Sequence, residues 1–270
     1  MKKLFHIFCL LLSLCLLSCK GEEEELPKNL RLSKVIETHP NTVKGITHFY
    51  TYTTNGELYE YKYQGGFYNF EGVIIHTYNT LNQLTETIYL NKNNDGTTQT
   101  KTIFNYDKAG LLTNFNNEGN KIEYSFKYDD QGRLVEINNV IFMLEFKYDT
   151  RGNIINQKQF IKTWDNPRKL NSDITIEYDT NPNPFYKLGS PFVHNYGQTN
   201  LNTHPYIISF SPNNPVKLTE NHYYDSGQGE TTEFRVKKFQ YTYGKNNLPI
   251  EIIDLDTYDN NVSKLEYTVQ

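Results

Sequence analysis

Cysteine is scarce in this 270-residue sequence, and its three copies, Cys9, Cys15 and Cys19, all fall in the opening stretch. No disulfide can form further along, so stability rests on a packed core, which a chain of this length can build by burying about 70–75% of its unfolded surface. Alanine occurs once, at Ala109, and tryptophan once, against 22 tyrosines, 16 phenylalanines and many threonines and asparagines. Strong helix formers are thus missing while strand and turn formers abound, which predicts a nearly all-β chain. Positive charge is not in excess either: 27 Lys and Arg face 31 Asp and Glu. With no basic patch, nucleic acid is excluded as a partner.

Catalytic signatures are lacking as well. No Gly-x-Ser-x-Gly or His-Glu-x-x-His occurs, and His39, His48, His76, His194, His204 and His222 show no ligand spacing, so no catalytic residue, metal site or cofactor is assigned. Asp129 and Asp130 are adjacent and point to opposite faces of an extended chain, which suits turn capping better than a shared acid–base site. Asn91-x-Asn93-x-Asp95-Gly96 imitates the start of a calcium loop. The imitation fails at its twelfth position, where Thr102 stands in place of the bidentate Glu, and strand signals flank it on both sides.

The opening stretch differs in kind from the rest. Lys2 and Lys3 precede an apolar run from Leu4 to Leu17 that ends in Leu16-Leu17-Ser18-Cys19. At about 14 residues the run is short of the roughly 20 that a spanning helix needs, so residues 1–18 read as a signal peptide. Its last four residues resemble the lipobox of bacterial lipoproteins, which implies cleavage before Cys19 and lipidation of its thiol. Lys20-Gly21-Glu22-Glu23-Glu24-Glu25 follows, similar to the export signal that sends Bacteroidota lipoproteins to the outer face of the outer membrane. Residues 19–30 therefore read as a lipidated cysteine and a solvated acidic linker. The partner implied is the membrane, reached through the lipid anchor, and the implied address is the outer membrane with cell-surface exposure.

Beyond the linker one phrase recurs: Tyr106-Asp107-x-x-Gly110, Tyr128-Asp129-x-x-Gly132 and Tyr148-Asp149-x-x-Gly152. In each, an aromatic closes a strand, Asp caps the backbone N–H groups ahead of it, and Gly takes the positive φ that a Cβ would penalise. Tyr124, Phe126 and Tyr128 alternate with polar residues, as do Leu144, Phe146 and Tyr148, so the flanks are half-buried strands. Asn116-Asn117 and Asn138-Asn139 mark the turns at the opposite end. Degenerate copies begin at Tyr52, Tyr78 and Tyr243, with Asn82 replacing Gly in the second. All the Asp-x-x-Gly turns should lie along one edge of a twisted antiparallel meander.

These phrases resemble the YD repeats of RHS-type surface and toxin-delivery proteins, which wind into a spiral β-sheet. The resemblance is clear over 52–157; five or six units are too few for the family's hollow shell, so what it implies here is the twisted meander. After Tyr178-Asp179 the pattern gives way to Asn181-Pro182-Asn183-Pro184-Phe185 and, later, Ser211-Pro212-Asn213-Asn214-Pro215. Those residues look like a family of Bacteroidota lipoproteins of unknown function that carry YD-like repeats. The prolines exclude a central strand from 180–215, an irregular excursion with one helical turn opening at Pro184.

The organisation read from the sequence is thus a single β domain over 31–270. Its leading function is a non-catalytic surface module that binds a glycan or a protein or serves as an envelope scaffold. The alternative is a hydrolase acting on an envelope or dietary polymer, which would need two facing carboxylates. The binding candidates are the excursion aromatics Tyr186, Phe192, Tyr196 and Tyr206, placed beside a groove. For the address, Cys19→Ala or globomycin treatment is expected to abolish membrane retention, because acyl chains supply the affinity at about 0.8 kcal/mol per buried CH₂. Release of untreated protein with no lipid on Cys19, read by fractionation and mass spectrometry, would refute it.

Overall fold

A computed structural model describes residues 30–38, 45–66, 70–93, 96–118, 124–162, 168–188, 205–225, 230–255 and 261–269. Strong alternation of apolar and polar residues produces strands almost throughout: β1 (Leu30–Thr38), β2 (Ile46–Tyr52), β3 (Leu58–Gly65), β4 (Phe70–Tyr78), β5 (Leu84–Asn93), β6 (Gly96–Tyr106), β7 (Leu112–Asn117) and β8 (Ser125–Tyr128). They continue with β9 (Leu134–Asn138), β10 (Phe142–Tyr148), β11 (Ile154–Ile161), β12 (Lys169–Pro182), β13 (Asn213–Asp225), β14 (Glu230–Tyr243), β15 (Pro249–Asp254) and β16 (Val262–Val269). One short helix, α1 (Pro205–Phe210), lies between β12 and β13.

The strands form one 16-stranded antiparallel sheet in which neighbours in sequence are neighbours in space, and β16 pairs with β1. Among the described residues, β7 and β8 are the sequence neighbours that share no ladder. The sheet is therefore a barrel that is closed except at this seam, and it realises the twisted antiparallel meander expected from the sequence. Its sixteen strands curl far enough for the two terminal strands to meet, where the sequence suggested five or six units. Side chains bridge the seam: the Phe115 and Tyr124 rings stack 4.2 Å apart, and the Tyr128 hydroxyl donates to the Leu112 carbonyl at 2.8 Å.

The repeated phrase makes the turns at one rim. Asp107, Asp129 and Asp149 each accept two backbone N–H bonds through Oδ1, at 2.8–2.9 Å, and Asn79 does the same at 2.9–3.0 Å. Gly110, Gly132 and Gly152 have φ of 83°, 73° and 90°, and Asn82 and Asn247 hold the equivalent position at 57° and 59°. Each turn joins an even-numbered strand to the next odd one, so in an up-and-down barrel all lie at the same end. At the opposite end Asn139 Oδ1 accepts the N–H groups of Ile141 and Phe142, while Asn116 and Asn117 are still strand residues of β7. The residues resembling a calcium loop form a hairpin, with Asn93 paired to Gly96.

The tyrosine of each phrase has a second role that the sequence did not reveal. Its hydroxyl reaches the carbonyl near the start of the preceding strand: Tyr52 to Leu32, Tyr78 to Leu58, Tyr106 to Leu84, Tyr128 to Leu112, Tyr148 to Leu134, Tyr178 to Ile154, Tyr241 to Pro215 and Tyr267 to Pro249, all at 2.7–2.9 Å. Each odd-numbered strand is thus clasped by the even-numbered strand that follows it, across the unladdered β7–β8 seam as well as in the seven hairpins. In the last phrase the role falls to Tyr241 instead of Tyr243, whose hydroxyl bonds the Asp179 carboxylate.

Inward-facing residues pack the barrel. Val35, Ile74, Ile137, Ile154, Ile174 and Ile207 are fully buried in one cluster that takes in both halves of the sheet. The outward face carries cross-strand ion pairs: Lys34–Glu266, Lys62–Glu71, Lys101–Glu86, Lys127–Glu136, Lys158–Asp173 and Lys217–Glu177, at 2.5–3.5 Å. A Cβ at Gly132 would meet only Leu111 Cδ2, at 3.8 Å, so a substitution there is penalised by backbone conformation alone. Gly132→Val is expected to cost about 1–2 kcal/mol in denaturant melts, and Gly132→Asn less than half of that. Equal stability of Gly132→Val and wild type would defeat the turn assignment.

Candidate functional site

The excursion leaves the tyrosine rim after β12 and returns to it at β13, spanning 183–212. Its two ends are tied by the asparagines singled out in the sequence. Asn183 Nδ2 donates to the carbonyls of Ile208 and Ser211, and Asn213 exchanges bonds with Asn153. Asn214 Nδ2 donates to Asp179 and to the carbonyls of Asn181 and Pro182. Ser211 Oγ accepts the Ile154 N–H and pairs with the Tyr178 hydroxyl. The two Pro/Asn segments therefore form a clasp with a structural purpose. The helix opens at Pro205, not Pro184, because proline suits a first helical position; Pro184 begins a turn instead. Pro215 sits within β13 at a register shift, where its missing N–H costs no ladder bond.

Phe185, Leu188, Ile207 and Ile208 push from this excursion into the core and cap the barrel. Beside the cap a cavity of about 870 Å³ remains at the mouth. Tyr52, Tyr78, Tyr106, Tyr128 and Tyr267 wall it, Leu32, Leu58, Leu84 and Leu188 lie deeper, and Arg31, Glu57, Gln83 and Lys187 stand at its lip. Burial raises the phenols, to about 12 for Tyr106 and Tyr128 and higher for Tyr52, Tyr78 and Tyr267. Their hydroxyls stay protonated donors across the physiological range. Tyr186 lines the mouth at 38% exposure, with Lys187 Nζ 5.0 Å from its ring centroid. Lys187 has φ 56°, whereas the other positive-φ residues with side chains among the described residues are the turn asparagines Asn82 and Asn247.

Of the four aromatics proposed as binders, Tyr186 is at the cavity. Tyr206 is not: it packs on Phe146 and Phe210, 6.1 and 6.3 Å away, and burial pushes its phenol to about 12, so it anchors the cap. Phe192 and Tyr196 lie outside the described residues, as does Cys19. Sequence reasoning missed Lys187, since nothing in Tyr-Lys-Leu announces a positive φ, and it missed the leucine floor, whose signal was the Leu that follows most of the turns.

Below the cavity the interior holds polar groups that the sequence left scattered. His48 Nδ1 is 2.8 Å from the Tyr61 hydroxyl, and its Nε2 is 3.6 Å from Glu37 Oε2, with all three residues at most 2% exposed. Lys237 meets Asp254 at 2.8 Å. A substrate cannot reach Glu37, His48 and Tyr61, sealed to this degree. Among the described residues no three His, Cys, Asp or Glu are placed to hold a metal. The turn carboxyls serve as acceptors: Asp129 is held below the usual range mainly by the Arg133 N–H, and Asp149, despite the opposing effect of its burial, by Asn153 and Arg151.

No family model matches the sequence, and no curated protein does. Among solved structures, a porin-like protein from Bacteroides uniformis is 14% identical with a TM-score of 0.53, covering 88% of this chain and 98% of that one. A porin-like protein from Bacteroides vulgatus is 11% identical with a TM-score of 0.43, covering 89% and 99%. The Tc holotoxin pore of Photorhabdus luminescens is 17% identical with a TM-score of 0.32, covering 80% of this chain and 9% of that one. At such identity the first likeness is one of fold, and the other two scores fall short of that.

His76 supplies a pH test of the rim. It is 2% exposed and stacks near Tyr78, and burial lowers its pKa from 6.5 to about 4. Because the folded value lies below the unfolded one, its neutral ring fits the fold above pH 6.5, and stability falls as pH drops from 6.5 towards 4. The loss is expected to reach at most about 3 kcal/mol. His76→Phe should flatten that limb and leave the loss below pH 4, due to Asp129 and Asp149, in place. An unchanged slope between pH 6.5 and 4 in the variant would refute the assignment.

Proposed function

We propose that this chain is a non-catalytic binding module of the outer membrane, held by lipid on Cys19 and displayed at the cell surface, and that it engages its partner through the tyrosine mouth. The observation that carries this reading is the convergence at one rim of the open cavity, the clasped excursion and the strained Tyr186-Lys187 pair. Backbone strain retained at a cavity lip is characteristic of binding sites.

The name of the Bacteroides uniformis neighbour, porin-like, supports an outer-membrane setting and a barrel shape. Conduction does not carry over with it. A transmembrane barrel turns an apolar band to lipid and a polar surface to its lumen. Here the outward face bears the six ion pairs and the interior is packed with Ile, Leu, Val and Tyr. No helix among the described residues is long and apolar enough to cross a membrane, so the lipid on Cys19 is the anchor in this reading.

Probing a glycan and protein array with the mature chain, residues 20–270, tests the proposal. A specific hit should weaken about tenfold or more on Tyr186→Ala, as expected for an aromatic anchor at the centre of an interface. Turnover of a polymer by the purified chain, lost on changing one carboxylate, would overturn the non-catalytic reading. Binding that is indifferent to changes at the mouth would overturn the choice of surface.

A further inference from the structure

We infer that the cavity takes the hydrocarbon chain of an anionic amphiphile, with Lys187 and Arg31 receiving its carboxylate or phosphate. The inference rests on the mouth being the binding surface and goes beyond it by naming the ligand chemistry. At about 870 Å³ the space is in the range of ligand sites, which run from about 300 to 1,000 Å³.

The walls decide the chemistry. Tyr52, Tyr78, Tyr106, Tyr128 and Tyr267 line the cavity, yet each hydroxyl already donates to a backbone carbonyl. Their donors are spent, so they offer mainly ring faces and edges, and between them stand Leu32, Leu58, Leu84, Leu112, Leu188 and Leu248. The amides of Gln83 and Asn183, which share the lining, are already engaged with Asn79 and Gly110 and with Ile208, Ser211 and Phe185. A sugar would therefore gain few new partners for the hydration it gives up, whereas an alkyl chain has no such loss and removes apolar wall from water.

Charge is confined to the lip, where Arg31 and Lys187 outnumber Glu57. Lys187 is fixed there: its N–H donates to the Ser209 carbonyl at 2.9 Å, its Nζ lies over the Tyr186 ring, and its φ of 56° is one that long side chains rarely adopt. The strand β1 also starts at this rim, and its first residue, Leu30, lines the cavity. With Cys19 acylated, the linker to Leu30 can hold the mouth no more than about 35–40 Å from the membrane, within reach of its amphiphiles.

Fluorescence titration of the mature chain, residues 20–270, which retains every strand, with cis-parinaric acid tests the inference. A saturable rise in emission is expected, displaced by stearic acid and at least about tenfold less well by stearylamine. Leu111→Trp, which fills the cavity, should weaken binding about tenfold, as losing roughly two buried methylenes would. Lys187→Gly removes the lip charge while relieving the positive φ, so it keeps the fold and should weaken parinarate while leaving stearylamine unchanged. No saturable binding, indifference to both variants, or equal displacement by the amine would overturn the proposal. If parinarate fails while an array hit still depends on Leu111 and Tyr186, the amphiphile falls and the mouth stands; if nothing depends on the mouth, both fall. Repeating the titration on full-length acylated protein separates the sources. Equal binding there supports a separate anionic amphiphile, whereas exclusion of the probe would show the cavity filled by the chain's own Cys19 acyl group, which bears no carboxylate or phosphate, and would overturn the anionic ligand.

Discussion

The bond from a tyrosine hydroxyl to the carbonyl near the start of the preceding strand is the contact on which the rest of this architecture depends. A two-stranded hairpin frays at the end away from its turn, and there each tyrosine closes it. The same residue leads directly into the next turn, so one side chain ties its strand backwards while the backbone ties it forwards. Each bond contributes only about 1 kcal/mol net, but it satisfies a buried hydroxyl that would otherwise be costly to bury. Repeated in seven hairpins and across the seam, it fixes a common rim. At the seam, where the ladder between β7 and β8 is missing, the Tyr128 clasp and the Phe115–Tyr124 stack persist without it.

Much of this was legible in the sequence, and for identifiable reasons. Asp107, Asp129 and Asp149 and the glycines three positions later announce their turns because the capping geometry is local, and Asn82 could be placed as a substitute because asparagine tolerates a positive φ. The alternation around Phe126 and Phe146 gave the strands for the same reason. Closure was not legible, because the β1–β16 pairing joins residues more than two hundred positions apart and neither strand carries a signal for its partner. The two Pro/Asn segments were visible as a signature, but only the fold shows that Asn183 holds the Ser211 carbonyl while Asn213 and Asn214 hold that of Asn181. Tyr206 illustrates a limit of composition: an aromatic in an irregular segment is as readily an anchor as a contact, and its burial against Phe146 decides for the anchor.

The distribution of polarity gives the fold its character. Six outward ion pairs are individually weak, since exposed pairs contribute about 0–1 kcal/mol, yet together they make the outside of the barrel unfit for a lipid phase. The inside is the reverse: it is mainly apolar, and it admits some polar groups as pairs, such as His48 with Tyr61 and Lys237 with Asp254. Sixteen strands suffice elsewhere to enclose an aqueous channel. Here tyrosine and isoleucine side chains and a plug from the chain itself occupy that space, and a cavity remains at one end.

The seam and the chain termini lie in different parts of the sheet, and this bears on how the domain carries load. The strand that receives a pull applied through the residues before Leu30 is β1, which is hydrogen-bonded on both sides, to β2 and to β16. Such a pull runs along the strand axis and loads two ladders in shear at once, so their bonds resist together. Had the seam fallen between β1 and β16, the same pull would have drawn on an edge strand held on one side only. The weakest line of the barrel lies away from the strand that takes such a pull, so the load does not draw on the seam.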